Sequence, residues 1–214
     1  MKAVLLLETS SKRCSVAVAV DGALVAERDA LDPQGYLHAE RLHPMIDEVL
    51  RDAGFAVRDL TGIAAAQGPG SYTGLRIGLA AAKGLALPWG IPCYGLDSLA
   101  MLAVAAAEAD PTASRIWAAM DARRLEVYSA WFSPDGQRLS PDVPEVAQDE
   151  WADRPEALGA GDGIEKIRPF WPSLRDSGVR YAYARHGIPL LASAPAVELA
   201  TWEPNYLKVF GQAL

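Results

Sequence analysis

The sequence predicts an α/β fold of two related modules, the second reduced. Three observations lead there. Asp21-Gly22 separates two alternating apolar runs, as at a β-hairpin tip. Helical periodicity and short apolar runs then alternate up to about residue 107. The opening pattern also recurs: an acid closes the first strand of each half, Glu8 and Asp121, and an Asp-Gly follows at nearly equal spacing, Asp21-Gly22 and Asp135-Gly136.

Element by element, residues 2 to 8 read as a buried strand, 14 to 20 as a second and 23 to 28 as a third. A helix spans 37 to 53, with Leu42, Met45, Ile46, Val49, Leu50 and Ala53 on one face, and Gly54 ends it. A small-residue strand over 60 to 66 leads through a glycine-rich segment into a helix running to about residue 87. A strand near 91 to 95 and a helix near 97 to 107 complete the first half. Three meander strands followed by alternating helices and parallel strands is the order of the ribonuclease-H-like module shared by actin, sugar kinases and heat-shock ATPases. In the second half, strands over 116 to 120 and 126 to 132 flank a turn at 122 to 125. The many prolines that follow keep its helices short. The expected division is 1–107, a βββαβαβα module, and 108–214, a smaller one.

The chain has 214 residues, half of them hydrophobic and 22% charged, which excludes a disordered or fibrous protein. A formal charge of -7 has the wrong sign for gripping a phosphate backbone unaided. The basic pairs Lys12-Arg13 and Arg123-Arg124 are isolated and read as caps of solvated turns. The apolar run at 3 to 7 is too short for a signal peptide, and the run at 99 to 107 too short for a membrane span, so a cytoplasmic protein is expected. Cys14 and Cys93 lie in separate apolar segments and read as reduced, buried and inert.

The most informative segment is Gln67 to Gly78. Gly68, Pro69, Gly70, Ser71, Thr73 and Gly74 lie after a strand and at the start of a helix. They read first as a tight strand-to-helix turn and second as an anion cradle of backbone N–H groups. No Gly-Lys-Ser/Thr follows, so this is not a P-loop. The helix after it is apolar nearly all round, with Gly74, Gly78 and Ala82 four apart and Leu75 and Leu79 beside them. Such a stripe admits a closely packed helix, either that at 37 to 53 or one from another chain. His38 and His43 are five apart, which does not suit a helical metal pair, and they read as surface or cap residues. No metal site is expected. Ser71 does not fit a nucleophile elbow and neither cysteine has an activating context. The remaining catalytic candidate is a cleft in which Glu8 and Asp121 hold a metal-nucleotide and Thr9, Ser10 and Lys12 form a phosphate turn.

Leu5-Leu6-Leu7-Glu8-Thr9-Ser10, the run from His38 to Ile46, Gly68-Pro69-Gly70-Ser71-Tyr72-Thr73-Gly74-Leu75-Arg76-Ile77-Gly78 and Asp121-Ala122-Arg123-Arg124-Leu125-Glu126-Val127-Tyr128 together resemble the TsaB (YeaZ) family. Gly161-Asp162-Gly163 and Glu203-Pro204-Asn205-Tyr206-Leu207-Lys208 extend the resemblance along nearly the whole chain. It implies a non-catalytic subunit of the machinery that places threonylcarbamoyl on the adenosine beside the anticodon of tRNAs reading ANN codons. By the same resemblance it pairs with the TsaD transferase, is joined by the ATPase TsaE, reaches tRNA indirectly, and forms a homodimer when its partner is absent. No intrinsic cofactor is implied, and ATP or ADP is expected only within the complex. The transferase carries a metal-binding H-x-x-x-H where this chain reads Leu96-Asp97-Ser98-Leu99-Ala100-Met101-Leu102-Ala103, so metal-dependent transfer is not carried over. The family's pairing surface maps to the helices at 37 to 53 and 73 to 87, which nominates Leu42, Met45, Ile46, Val49, Gly74, Leu75, Gly78, Leu79 and Ala82. Two departures stand out: Glu8 replaces the more usual aspartate, and little sequence follows Lys208 where many members continue. The alternatives are a self-sufficient actin-fold ATPase or kinase and a glycoprotease-like peptidase.

Overall fold

Leu5, Leu6 and Leu7 leave no face for solvent, so the strand that carries them must be central. In the structure, a computed structural model that describes residues 1–32 and 37–207, β1 (Ala3–Glu8) lies inside the first of two sheets. β2 (Arg13–Val20) and β3 (Ala23–Leu31) form an antiparallel meander on one side of it, Val4 standing opposite Ala19. On its other side β4 (Gly62–Gly68) and β5 (Cys93–Asp97) run parallel to it, with Val4 opposite Gly62. The strand order is therefore β5-β4-β1-β2-β3, the ribonuclease-H-like arrangement.

The connecting helices follow from the period of their apolar residues. α1 (His38–Ala53) buries Leu42, Met45, Ile46, Val49 and Leu50. It stops at Gly54, whose left-handed backbone (φ 76°) turns its N–H back to Arg51 O at 3.1 Å. α2 (Tyr72–Ala86) starts at Ser71, whose hydroxyl accepts from Gly74 N at 3.2 Å. α3 (Ser98–Ala109) leads onward, and no helix among the described residues is long and apolar enough to cross a membrane.

The second sheet repeats the first. β6 (Ile116–Asp121), β7 (Glu126–Phe132) and β8 (Val143–Val146) form a meander; β9 (Ala157–Ala160) and β10 (Leu174–Asp176) extend it in parallel from β6. The order β10-β9-β6-β7-β8 matches β5-β4-β1-β2-β3 of the first sheet. The reduction lies in the connections. A 3-10 turn, Asp149–Asp153, stands where α1 does in the first module, and the one-turn α4 (Ile164–Ile167) where α2 does. With those helices gone, Trp117, Trp151 and Trp171 fill the core edge to face, their ring centres 5.2 to 6.3 Å apart.

The division differs from the expected cut at residue 107. One unit is Met1–Ser98 with Tyr183–Asn205; the other is Leu99–Ala182 with Tyr206 and Leu207. The late segment returns to the first sheet for chemical reasons. Ala184 N donates to Ser15 Oγ (2.9 Å), Arg185 pairs with Glu27 (2.7 Å), and β11 (Ala196–Val197) pairs with β5. Trp202 then enters the first core and donates from Nε1 to Gln67 Oε1 at 3.1 Å. Strands β4 and β5 each start two residues later than the apolar runs indicate, and β3 runs on to Leu31. Trp202→Ala is expected to cost about 3 to 5 kcal/mol through the cavity it leaves, measured by urea unfolding. A cost near zero would mean the late segment is not part of the first unit's core.

Candidate functional site

The carboxyl end of β1 meets the glycine-rich segment, and the chain itself fills the space between them. A Cβ on Gly70 would collide with Ser10 O, one on Gly74 with Thr9 O, and one on Gly78 with Thr9 Oγ1. Ser71 N donates to Ser10 O at 2.7 Å. The glycines are thus required by the close approach of α2 to the β1–β2 turn. The tight-turn reading of Gly68, Pro69, Gly70, Ser71, Thr73 and Gly74 accounts for these contacts: the carbonyls of Ser10 and Thr9 stand against Gly70 and Gly74.

The same contact seals the turn. Glu8, Thr9 and Ser10 are 0%, 1% and 3% exposed. Glu8 Oε1 accepts from Ser10 N (2.6 Å) and Ser10 Oγ (2.5 Å), while Oε2 and Thr9 Oγ1 are buried without a hydrogen-bond partner. Burial raises the Glu8 carboxyl to about 7 against the hydrogen bonds from Ser10, and the nearby Cys14 thiol is pushed to about 12 by burial and by Glu8. Lys12 is exposed, and Asp121 belongs to the other unit, where Lys166 Nζ holds its carboxylate at 2.6 Å. Of the five cleft candidates, then, Glu8, Thr9 and Ser10 are buried together, Lys12 of the same turn is exposed, and Asp121 stands in the other unit. A turn this enclosed does not present its hydroxyls to a phosphate.

The nominated partner residues need the same correction. Leu42, Met45, Ile46, Val49, Gly74, Leu75, Gly78, Leu79 and Ala82 are all buried, in the first unit's own core or against the Thr9 turn. Periodicity identified the inward face. The outward face of the helix pair carries Ala39 and His43 from α1 and Ile77, Ala80, Gly84 and Leu85 from α2, which line a shallow groove of about 540 Å³. A Cβ on Gly84 would meet nothing within 4 Å. His38 is no surface residue: it is buried, its Nε2 3.3 Å from Arg13 O. Cys14 and Cys93 are free and buried, as expected. No group of three or more potential metal ligands clusters among the described residues.

Sequence reasoning missed two anchors. Gln67 is gripped from both sides of its strand end: Trp202 donates to its amide oxygen, Asn205 N to its backbone carbonyl at 2.6 Å, and its side chain lies where a Cβ on Gly95 would be. Asn205 stands within a noted motif, of which Lys208 lies outside the described residues. In the second module, Lys166 has no sequence signal at all. It closes on Asp121 and on the carbonyls of Arg124 (3.0 Å) and Glu126 (2.7 Å). The Gly161-Asp162-Gly163 motif packs on the end of β6, Gly163 N donating to Ala119 O at 3.1 Å and Asp162 Oδ1 accepting from Asp121 N at 2.8 Å.

These features define a protein of two ribonuclease-H-like modules whose first central strand ends in a turn closed by its own glycines. Comparison with known proteins is specific. The family model described as TsaD, tRNA N6-adenosine threonylcarbamoyltransferase, matches residues 35–161, more than half of the chain. The tRNA threonylcarbamoyladenosine biosynthesis protein TsaB of Escherichia coli is 36% identical over 132 residues, 62% of this chain and 55% of that protein. TsaB of Haemophilus influenzae is 37% identical over 124 residues, 58% and 51%. YeaZ from Pseudomonas aeruginosa superposes with a TM-score of 0.82 at 28% identity, covering 97% of this chain and all of that one. The chain belongs to this family, as a member of the TsaB/YeaZ type. The matched stretch spans about half the length of the curated relatives.

The buried carboxyl makes stability depend on pH. Its folded value of about 7 lies above the ordinary 4.5, so the folded state holds a proton that the unfolded state has released. The stability this group provides is full below pH 4.5 and is lost as pH rises through 7, by about 3 kcal/mol in all. Glu8→Gln keeps an acceptor for Ser10 and removes the charge. Chemical unfolding at several pH values should give a variant more stable than the parent at pH 8 and lacking this slope between 5 and 8. An unchanged slope would show that Glu8 does not carry it.

Proposed function

We propose that this chain is a non-catalytic subunit of the cytoplasmic machinery that forms threonylcarbamoyladenosine in tRNA, and that it works by pairing with a TsaD-type transferase, with a TsaE-type ATPase joining the pair. The single observation that carries this reading is the sealed end of β1. In an open α/β sheet, ligands bind at the carboxyl ends of the strands, and here that position in the first module is filled by Thr9, Ser10 and the glycines of α2. What the first unit leaves available is the outward face of α1 and α2: small and apolar at Ala39, Ala80 and Gly84, flanked by the half-buried Ile77 and Leu85. Small residues let a second pair of helices approach closely, and knobs from a partner can seat in the groove.

In this reading the rigid first unit holds the transferase through that face and keeps it in its working conformation. The same face, being self-complementary, serves a homodimer when the transferase is absent. ATP or ADP is taken up only in the complex, since the isolated chain's Glu8 turn is closed to it.

Depletion of the protein should remove threonylcarbamoyladenosine from total tRNA, measured by mass-spectrometric nucleoside analysis; undiminished levels would sink the reading. Ala80→Glu and Gly84→Glu place a charge on the exposed face without entering the core. Each should abolish co-elution with the transferase at micromolar concentration while the circular dichroism of the isolated chain is unchanged. Intact co-elution of both would move the partner surface elsewhere.

A further inference from the structure

The tip joining β6 to β7 is made of unusual residues for its backbone. Arg123 and Arg124 lie at φ 72° and 50°, the left-handed region that glycine, asparagine and aspartate enter readily and arginine does not. By contrast, the hairpin tip between β2 and β3 uses Asp21 and Gly22 at φ 50° and 83°, the residue types that such hairpins ordinarily select. Two successive arginines in this conformation persist only where the surroundings hold them.

Here they are held from below. Asp121 Oδ1 accepts from Arg123 N at 2.5 Å and from Lys166 Nζ at 2.6 Å, and Lys166 also donates to the carbonyls of Arg124 and Glu126. The lysine and the aspartate neutralise each other and are spent on the tip's backbone. Both arginine side chains are exposed, and neither has an ion pair among the described residues, whereas Arg28, Arg138, Arg154, Arg175, Arg180 and Arg185 all do. The arrangement is a clamped backbone that presents two unpaired guanidinium groups. Their planar forks match phosphate oxygens and lose little freedom on binding when the backbone beneath is fixed.

We propose that Arg123 and Arg124 contact the phosphate backbone of the RNA on which the assembly acts. This rests on the function proposed above, which makes tRNA that RNA. An acidic protein surface is the competing occupant. The tip favours RNA because both guanidinium groups stand exposed over a fixed backbone, and the exposed large apolar side chain beside them is Leu125, a residue type under-represented among the anchors of protein interfaces. Phosphate contacts need only cations in fixed positions. The chain's net charge of -7 means the contact adds to a partner's grip on tRNA and does not replace it.

The test uses the assembled pair with the transferase and an unmodified tRNA transcript, followed by fluorescence anisotropy from 50 to 200 mM KCl. Arg123→Asn with Arg124→Gly supplies the residues the turn prefers. The isolated double variant should melt a few degrees higher, still co-elute with the transferase, and bind tRNA about tenfold more weakly at low salt. The slope of log affinity against log salt should be shallower by about 1.5, as for two lost phosphate contacts. Arg123→Lys with Arg124→Lys should recover most of that slope. Unchanged affinity and slope in the double variant overturn the proposal, as does a lower melting temperature or loss of the transferase with tRNA binding intact. A wild-type pair that does not form, or does not hold tRNA, overturns the proposed function and this contact with it.

Discussion

The first module depends on a contact between backbones. Thr9 and Ser10 lie against Gly70, Gly74 and Gly78 so closely that no side chain fits between them. One consequence is mechanical: with Ser71 N bonded to Ser10 O, α2 starts at a fixed point over the end of β1. Another is electrostatic, because the turn that makes the contact is removed from water and takes the Glu8 carboxyl with it. The third is functional. A glycine-rich strand-to-helix turn exposes N–H groups to an anion only if nothing in the chain occupies the hollow, and here the hollow is occupied.

The second module uses the same device with less material. Gly161 and Gly163 lie against Ala119 as Gly74 and Gly78 lie against Thr9, in both cases after the fourth strand of a matching sheet and at the end of its first strand. The module differs in how it covers its sheet. A one-turn α4 buries only Ile164 and Ile167, too little for a core. Tryptophans supply the missing area, and the Arg154 guanidinium lies 3.6 Å over the Trp151 ring while it also meets Glu145 at 2.7 Å. A few large rings in this way replace the two helices that the first module spends on the same task.

The meander strands, the three long helices and the repeat were legible because each has a period or a turn signal that local chemistry enforces. Asp21-Gly22 and Gly54 mark their turns by backbone conformation alone. The strands β8 to β11 and the 3-10 turns were not legible: they are two to five residues long, and pairing with a neighbour, not composition, makes them what they are. The candidate site failed for a related reason. Periodicity on α1 and α2 tells which face is apolar and says nothing of what covers it, so Leu42, Met45, Gly78 and Leu79 read equally well as core or as interface. Spacing likewise revealed the glycines around Ser71 without revealing that Thr9, more than sixty positions earlier, fills the space they leave.

Which side chains remain for a partner can be reasoned from what the fold consumes. In the first unit Glu27 is engaged by Arg185, Arg28 by Asp52, and Gln67 by Trp202 and Asn205, so the polar groups of the β2–β3 face and of the β4 end are committed to internal bonds. The outward face of α1 and α2 has no such commitments at Ala39, Ala80 and Gly84, which have no polar side-chain atoms to engage. In the second unit Lys166, Asp121 and Asp162 are committed to one another and to the β6–β7 backbone, while Arg123 and Arg124 of the tip they support have no ion pair among the described residues. Each unit thus keeps free a different kind of group: small apolar side chains on the helix pair of the first, guanidinium groups on the tip of the second.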